Sequence, residues 1–168
     1  MVRRSLVSPE GLAKMTTMNK YLLILATVTM VASHEVKALS LRESLAMLET
    51  GAIQPQYGAP DRIRGNSGEV SRYQIMPDVW RRYSNSREYE NPEVSWQVAS
   101  KILSDRIEWF KKIEGREPSS MEIYLLWNKP GHFQATGFTA SKVKKSYRER
   151  ANRFANLMTL PSLAMLTR

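Results

Sequence analysis

Residues 40–51 read Ser-Leu-Arg-Glu-Ser-Leu-Ala-Met-Leu-Glu-Thr-Gly, a stretch that predicts a helix with an acid at its end. Ser40 and Glu43 have the spacing of a capping box, the leucines recur at helical intervals, and Gly51 provides a left-handed stop. Glu49 therefore falls in the last turn, where the negative end of the helix dipole and partial burial both raise the pKa of a carboxyl group. A carboxyl group of this kind can serve as a general acid. The residues alone also allow the alternative that Glu49 is an ordinary solvated glutamate.

The length and composition predict one domain behind an export signal. The chain has 168 residues, of which 42% are hydrophobic. An uncharged apolar run from Tyr21 to Ala32 follows Lys20, which is typical of a signal peptide and too short to span a bilayer. We expect an exported protein of the periplasm, the cell envelope or the extracellular space, with cleavage after Ser33 or Ala38. The expected parts are an N-terminal extension and signal peptide at 1–38, a folded domain at 39–160 and a C-terminal tail at 161–168.

Several kinds of chemistry are excluded by the residue types. The chain has no cysteine, which rules out disulfides and thiolate catalysis. Its two histidines, His34 and His132, do not make a histidine-rich metal site. We therefore expect neither a metal nor another cofactor.

Positive charge is concentrated near the C-terminus. The formal net charge is +9, and residues 139–168 hold seven basic residues and one acidic residue. A basic face on an exported protein favours anionic polymers of the cell envelope as partners, and export argues against nucleic acid. We expect a monomer. A second interpretation is that the basic residues form only the solvated side of a helix; they are Lys142, Lys144, Lys145, Arg148, Arg150 and Arg153.

The remaining patterns predict a mainly α fold of five or six helices. Residues 51–72 are rich in Gly and Pro and predict a long loop after the first helix. Residues 71–75 are interpreted as a short extended piece. Apolar spacing and caps predict further helices, one from Pro77, one from Asn91 to Gly115, one from about Ser119 to Asn128, and one from Thr139 to Pro161. We assign Trp80, Trp96 and Trp109 to packing.

Three motifs occur in a characteristic order: Glu49-Thr50-Gly51, then Tyr73-Gln74-Ile75-Met76-Pro77, then Trp127-Asn128. In this arrangement the chain resembles the lysozyme-like superfamily, and most closely the catalytic domain of lytic transglycosylases and goose-type lysozymes. That family has a Glu at the end of a core helix, a Met-Gln-Ile-like segment that leads into a helix, and later an aromatic residue followed by Asn. Thr50 and Trp127 stand where the family usually has Ser and Tyr, so the chain resembles a divergent member.

The resemblance implies cleavage of the MurNAc-GlcNAc backbone of peptidoglycan, with Glu49 as the general acid and base. Glu69 is the second candidate carboxylate. It either activates water in an inverting reaction or forms an ion pair with Arg62, Arg64 or Arg72. Lytic transglycosylases, which the chain resembles, need only one Glu.

Four further residues are predicted to bind the glycan strand. Gln74 and Asn128 offer amide groups to sugar hydroxyl and acetamido groups, and Tyr73 and Trp127 offer flat rings on which sugars pack. Such rings more often lie in the core than in a cleft, and this alternative stays open for both Tyr73 and Trp127. The alternative function is a non-catalytic module that binds envelope polysaccharide.

Overall fold

The computed structural model describes residues 38–52 and 59–159, all within a compact unit that begins at Lys37. These residues are mainly helical and contain no β-strand, which confirms the mainly α prediction. The predicted signal segment up to Lys37 and the predicted tail lie outside the described residues. The helices of the described ranges are α1 (Leu41–Thr50), α2 (Pro77–Tyr83), α3 (Pro92–Glu114), α4 (Ser120–Asn128), α5 (Pro130–Ala135) and α6 (Lys145–Leu157).

The ends of α1 are set by local hydrogen bonds, as the sequence predicts. The Ser40 hydroxyl accepts a hydrogen bond from the Glu43 backbone N–H, and the Glu43 carboxylate accepts one from the Ser40 N–H at 2.8 Å. Gly51 ends the helix in the left-handed region at φ 72°, which a residue with a side chain rarely adopts. Glu49 consequently lies in the last turn.

The two central helices also begin at the predicted caps. The Asn91 side chain accepts hydrogen bonds from two backbone N–H groups at the start of α3, and Gly115 ends that helix at φ 68°. Ser119 and Glu122 form a second capping box at the start of α4. These predicted bounds are confirmed.

Helix α4 lies at the centre of the core. It packs against α3, α5 and α6, and α1 packs on α6. Tyr124, Leu125 and Leu126 are fully buried, and they join apolar side chains of α3 and α6 in one cluster. Because α1 and α4 both contact α6, the end of α1 lies next to side chains of the two other helices.

Two predicted elements are wrong. Residues 71–75 do not form an extended piece: Val70 and Ile75 pair as an isolated bridge, and between them Ser71 and Gln74 adopt positive φ values of 61° and 50°. The last helix does not begin at Thr139, because a short 3₁₀ turn at Ala140–Lys142 comes first and Val143 is extended and buried. Helix α6 begins at Lys145.

Within the described ranges, no helix is both long enough and apolar enough to cross a membrane.

Candidate active site

A groove of about 830 Å³ lies at the C-terminal end of α1. Its walls are the loop of residues 63–69, the start of α2, the middle of α3 and the junction of α4 with α5. Five of the six site residues predicted from the sequence line this groove: Glu49, Glu69, Gln74, Trp127 and Asn128. Residues far apart in the chain thus meet at one surface.

Tyr73 is the exception, and its predicted role as a sugar platform is wrong. Its side chain is fully buried in the core cluster, where its ring lies 5.7 Å from that of Trp96 between centroids. The tight turn between Val70 and Ile75 points neighbouring side chains in different directions, so that Tyr73 faces the core and Gln74 lines the groove. The assignment of Trp80 to packing is confirmed, because Trp80 is fully buried.

The Glu49 side chain lines the groove and is only 5% exposed. Its Oε1 accepts a hydrogen bond of 2.7 Å from the Tyr124 hydroxyl, and its Oε2 accepts one of 3.0 Å from Arg150. Burial raises the pKa of Glu49 above the ordinary carboxyl value, and the charge of Glu69 raises it further. The two donors lower this pKa without reversing the effect of burial.

Arg150 and Tyr124 are the site residues that the sequence analysis missed. Arg150 is not on the solvated side of its helix, because its guanidinium also donates to the Leu48 carbonyl at 3.2 Å and to the Tyr124 hydroxyl. Burial, together with the Glu49 charge, raises the pKa of the Tyr124 hydroxyl, which therefore keeps its proton and donates it.

A signal for both residues was present in the sequence. Arg150 lies at helical spacing from Tyr147, Ala151 and Phe154, and the pattern of these apolar residues indicates the inward side of the helix. A charged residue at an inward position of a helix requires a buried partner. Tyr124 lies in an apolar run, and a buried tyrosine usually hydrogen-bonds through its hydroxyl.

Glu69 lies in a compact loop that is stabilised by hydrogen bonds between its own residues. The Gly65 N–H donates to the Glu69 carbonyl at 3.0 Å, and the Ser67 N–H donates to the Glu69 carboxylate at 3.0 Å. Arg62, one of the predicted partners of Glu69, instead forms an ion pair with Glu90. The loop therefore orients the Glu69 carboxylate through backbone groups, close enough to Glu49 for the two charges to interact.

Gly65 allows Glu69 and Gln74 to approach the loop backbone. A Cβ atom at position 65 would lie 2.1 Å from Oε2 of Glu69 and 2.5 Å from Oε1 of Gln74. The Gln74 amide nitrogen donates to the Ile63 and Ser71 carbonyls at 3.3 and 3.1 Å, which fixes its orientation. The absence of a side chain at Gly65 thus determines the shape of this wall.

Replacing Gly65 by Ala is expected to displace the Glu69 and Gln74 side chains, because both occupy the space of the new methyl group. We expect the dissociation constant of any ligand of the groove to rise about tenfold, because the displaced side chains would make about one hydrogen bond less well. Calorimetric titration would measure this. Gly131→Ala is the matched control, because nothing lies within 4 Å of a Cβ there. Equal affinities of the two variants would contradict this account of the wall.

A second arginine supports the opposite wall. Arg106, on α3, donates to the Leu126 and Trp127 carbonyls at 3.0 and 2.5 Å, and its guanidinium lies 5.7 Å from the centre of the Trp127 ring. Because these carbonyls are in the last turn of α4, the arginine also complements the negative end of the helix dipole. The contacts fix Trp127 and Asn128 where they line the groove.

The loop between α1 and α2 is attached to the core by a buried ion pair. Asp61, in the 3₁₀ turn Ala59–Arg62, pairs with Arg72, and both side chains are only 3% exposed. Arg72 lies in the turn that carries Gln74, so this pair connects the loop to the groove wall.

The groove therefore presents one buried carboxyl of raised pKa, a second carboxylate, two side-chain amides and an indole ring. This set can transfer a proton to a bound molecule and hydrogen-bond its polar groups. Among the described residues, no group of three or more His, Cys, Asp or Glu side chains is arranged to hold a metal ion. Comparisons with family models, with curated proteins and with solved structures found no match.

Proposed function

We propose that this protein is a peptidoglycan-cleaving enzyme of the lytic transglycosylase or lysozyme type, with a lysozyme-like fold. Glu49 is the general acid that protonates the oxygen between two sugars of the MurNAc-GlcNAc backbone. Gln74 and Asn128 bind sugar substituents. Trp127 belongs to the core cluster and is only 8% exposed, so it contributes a small apolar contact at the groove wall rather than an open ring face. An exported protein would meet this substrate in the cell envelope.

The observation that carries the proposal is the position of the Glu49 carboxyl. It is buried, its pKa is raised by that burial, and it lines a groove large enough for several sugar rings. Cleavage of a glycosidic bond requires a proton donor of this kind at the leaving oxygen. The motif order that resembles the lysozyme-like superfamily supports the same assignment, since Glu49, Gln74 and Asn128 line one groove.

After proton transfer the Glu49 carboxylate is the base for the second step. In the transglycosylase reaction it removes the proton of the sugar's own 6-hydroxyl, which closes a 1,6-anhydro ring. In the hydrolytic reaction a base activates water, and Glu69 is the other carboxylate of the groove. The products of the two reactions differ by one water.

One observation favours the alternative, a non-catalytic module that binds envelope polysaccharide. Both Glu49 oxygens accept hydrogen bonds, one of them from an arginine, and such donors stabilise the ionised form of a carboxyl group. In this alternative Glu49 serves only to hold Tyr124 and Arg150. Exposed basic side chains of α6, such as Lys145 and Arg153, would then bind anionic polymers.

Incubation of the purified protein with cell-wall sacculi tests the proposal. We expect soluble glycan fragments, and mass spectrometry identifies the reaction, because anhydro products are one water lighter than hydrolytic products. Sedimentation of the protein with the sacculi without any fragment in the supernatant would contradict catalysis and favour the binding module.

A further inference from the structure

The Arg150 side chain, which lines the groove, contacts three groups there. It donates to the Glu49 carboxylate at 3.0 Å and to the Leu48 carbonyl at 3.2 Å, both on α1. Its Nε donates to the Tyr124 hydroxyl on α4, and that hydroxyl donates to the other Glu49 oxygen at 2.7 Å. The result is a closed ring of hydrogen bonds among three helices.

The positive charge of Arg150 offsets negative charge at the C-terminal end of α1. The last turn of α1 contains no basic residue of its own, although it carries Glu49 and the unpaired carbonyls of a helix end. A cation beside these carbonyls offsets the negative end of the dipole and the carboxylate together. Arg150 supplies this cation from α6, 101 residues further along the chain.

The ion pair between Glu49 and Arg150 is less exposed to water than the ion pairs at the surface. The Glu49 side chain is 5% exposed, whereas the Arg150 side chain is 35% exposed and lines the groove beside it. The exposed pairs of the molecule, such as Lys145 with Glu149, have both partners largely in water. Arg150 thus remains partly in contact with water while it donates a hydrogen bond to a carboxyl group that is almost fully buried.

We propose that Arg150 is a positioning residue for Glu49: together with Tyr124 it fixes the carboxyl group toward the groove and stabilises its ionised form. The role rests on the proposed function, because a residue that first donates and then accepts a proton must be able to adopt both its protonated and its ionised form. Burial favours the protonated form, and Arg150 and Tyr124 favour the ionised form. Glu69, on the loop, is a further charge that acts on Glu49, and it favours the protonated form.

The consequence for pH dependence has a definite sign. Without Arg150, ionisation of Glu49 requires a higher pH, so its protonated fraction persists to higher pH. The alkaline limb of the activity profile should therefore move to higher pH in an Arg150→Gln variant. The maximal rate should fall by about 10- to 100-fold, because the carboxyl is no longer held in one orientation.

Arg150→Lys separates charge from geometry. A lysine keeps the positive charge, so the alkaline limb should stay close to its wild-type position. A single ammonium group cannot reproduce the planar fork that contacts Tyr124 and Glu49 at once, and the rate should still fall. Arg81→Gln is the control, since it removes an exposed arginine of α2 that does not line the groove.

The experiment measures two quantities in the wild type and the three variants. One is the pH profile of fragment release from sacculi. The other is the ¹³C titration of the Glu49 carboxyl carbon, assigned by its loss in Glu49→Gln. We expect the Glu49 titration midpoint to rise in Arg150→Gln and to remain unchanged in Arg81→Gln.

The titration of Glu49 distinguishes a failure of the proposed function from a failure of the positioning role of Arg150. If the wild type releases nothing from sacculi but the Glu49 midpoint rises in Arg150→Gln, the proposed function fails and the electrostatic role of Arg150 stands. An active wild type with the same midpoint and rate in Arg150→Gln would overturn the positioning role. If Arg150→Gln does not fold, Arg150→Lys decides, and a wild-type rate in that variant would overturn it.

Discussion

Replacing Glu49 by Gln is expected to reduce fragment release from sacculi by about 10²- to 10⁴-fold, the usual contribution of a general acid. The amide has the shape of the carboxyl group and still accepts a hydrogen bond from Tyr124, but it has no proton to give to the leaving oxygen. Because the backbone of α1 is set by its caps, the helical circular dichroism spectrum should not change. The measurement is the initial rate of soluble fragment release.

The matched control for this variant is Glu108→Gln. Glu108 is a glutamate of α3 that is 67% exposed and pairs with Lys111 at the surface. Its replacement should leave the rate unchanged. Full activity in Glu49→Gln, with a normal spectrum, would remove Glu49 from the reaction and contradict the proposed mechanism.

The second large effect is expected on stability, from the ion pair that attaches the loop. Asp61→Asn should lower the free energy of unfolding by about 3–5 kcal/mol, because it removes the negative charge from a buried ion pair. Urea unfolding followed by fluorescence would measure the loss. The change should also loosen the turn that carries Gln74 and so weaken ligand binding.

Asp78→Asn is the control for Asp61→Asn. Asp78 pairs with Arg82 on α2, and the two side chains are 54% and 72% exposed. We expect a change in the free energy of unfolding of no more than about 0.5 kcal/mol there, since water screens an exposed pair. Similar losses in both variants would show that burial of the Asp61 pair is not what makes it stabilising.

The features predicted correctly from the sequence are those with local causes. The capping boxes at Ser40 and Ser119 and the glycine stops at Gly51 and Gly115 depend on residues within four positions of each other. Such contacts can be recognised from spacing alone. They place Glu49 at the end of its helix without reference to any tertiary contact.

The partners of Glu49 were missed because they depend on tertiary contacts. Tyr124 and Arg150 are 75 and 101 residues away from it in the chain. No local pattern gives the packing of α1 and α4 on α6. The inward spacing of Arg150 on its helix indicates that it has a buried partner, but not which one.

Tyr73 was assigned incorrectly because the backbone of its segment is unusual. An extended piece would also place Tyr73 and Gln74 on opposite faces, but its pattern does not tell which of the two faces the core. Instead, Ser71 and Gln74 take positive φ values, which few residues with side chains adopt. The sequence has no glycine within this turn to indicate such a conformation.

The most direct test of the central claim is to locate a bound glycan by NMR. A short peptidoglycan glycan fragment would be added to the ¹⁵N-labelled protein, and three side-chain N–H signals would be followed, those of the Gln74 amide, the Trp127 indole and the Asn128 amide. We predict that all three shift together and saturate at one affinity. Shifts confined to the exposed basic residues of α6, with these three signals unchanged, would contradict the claim that the groove beside Glu49 is the glycan site.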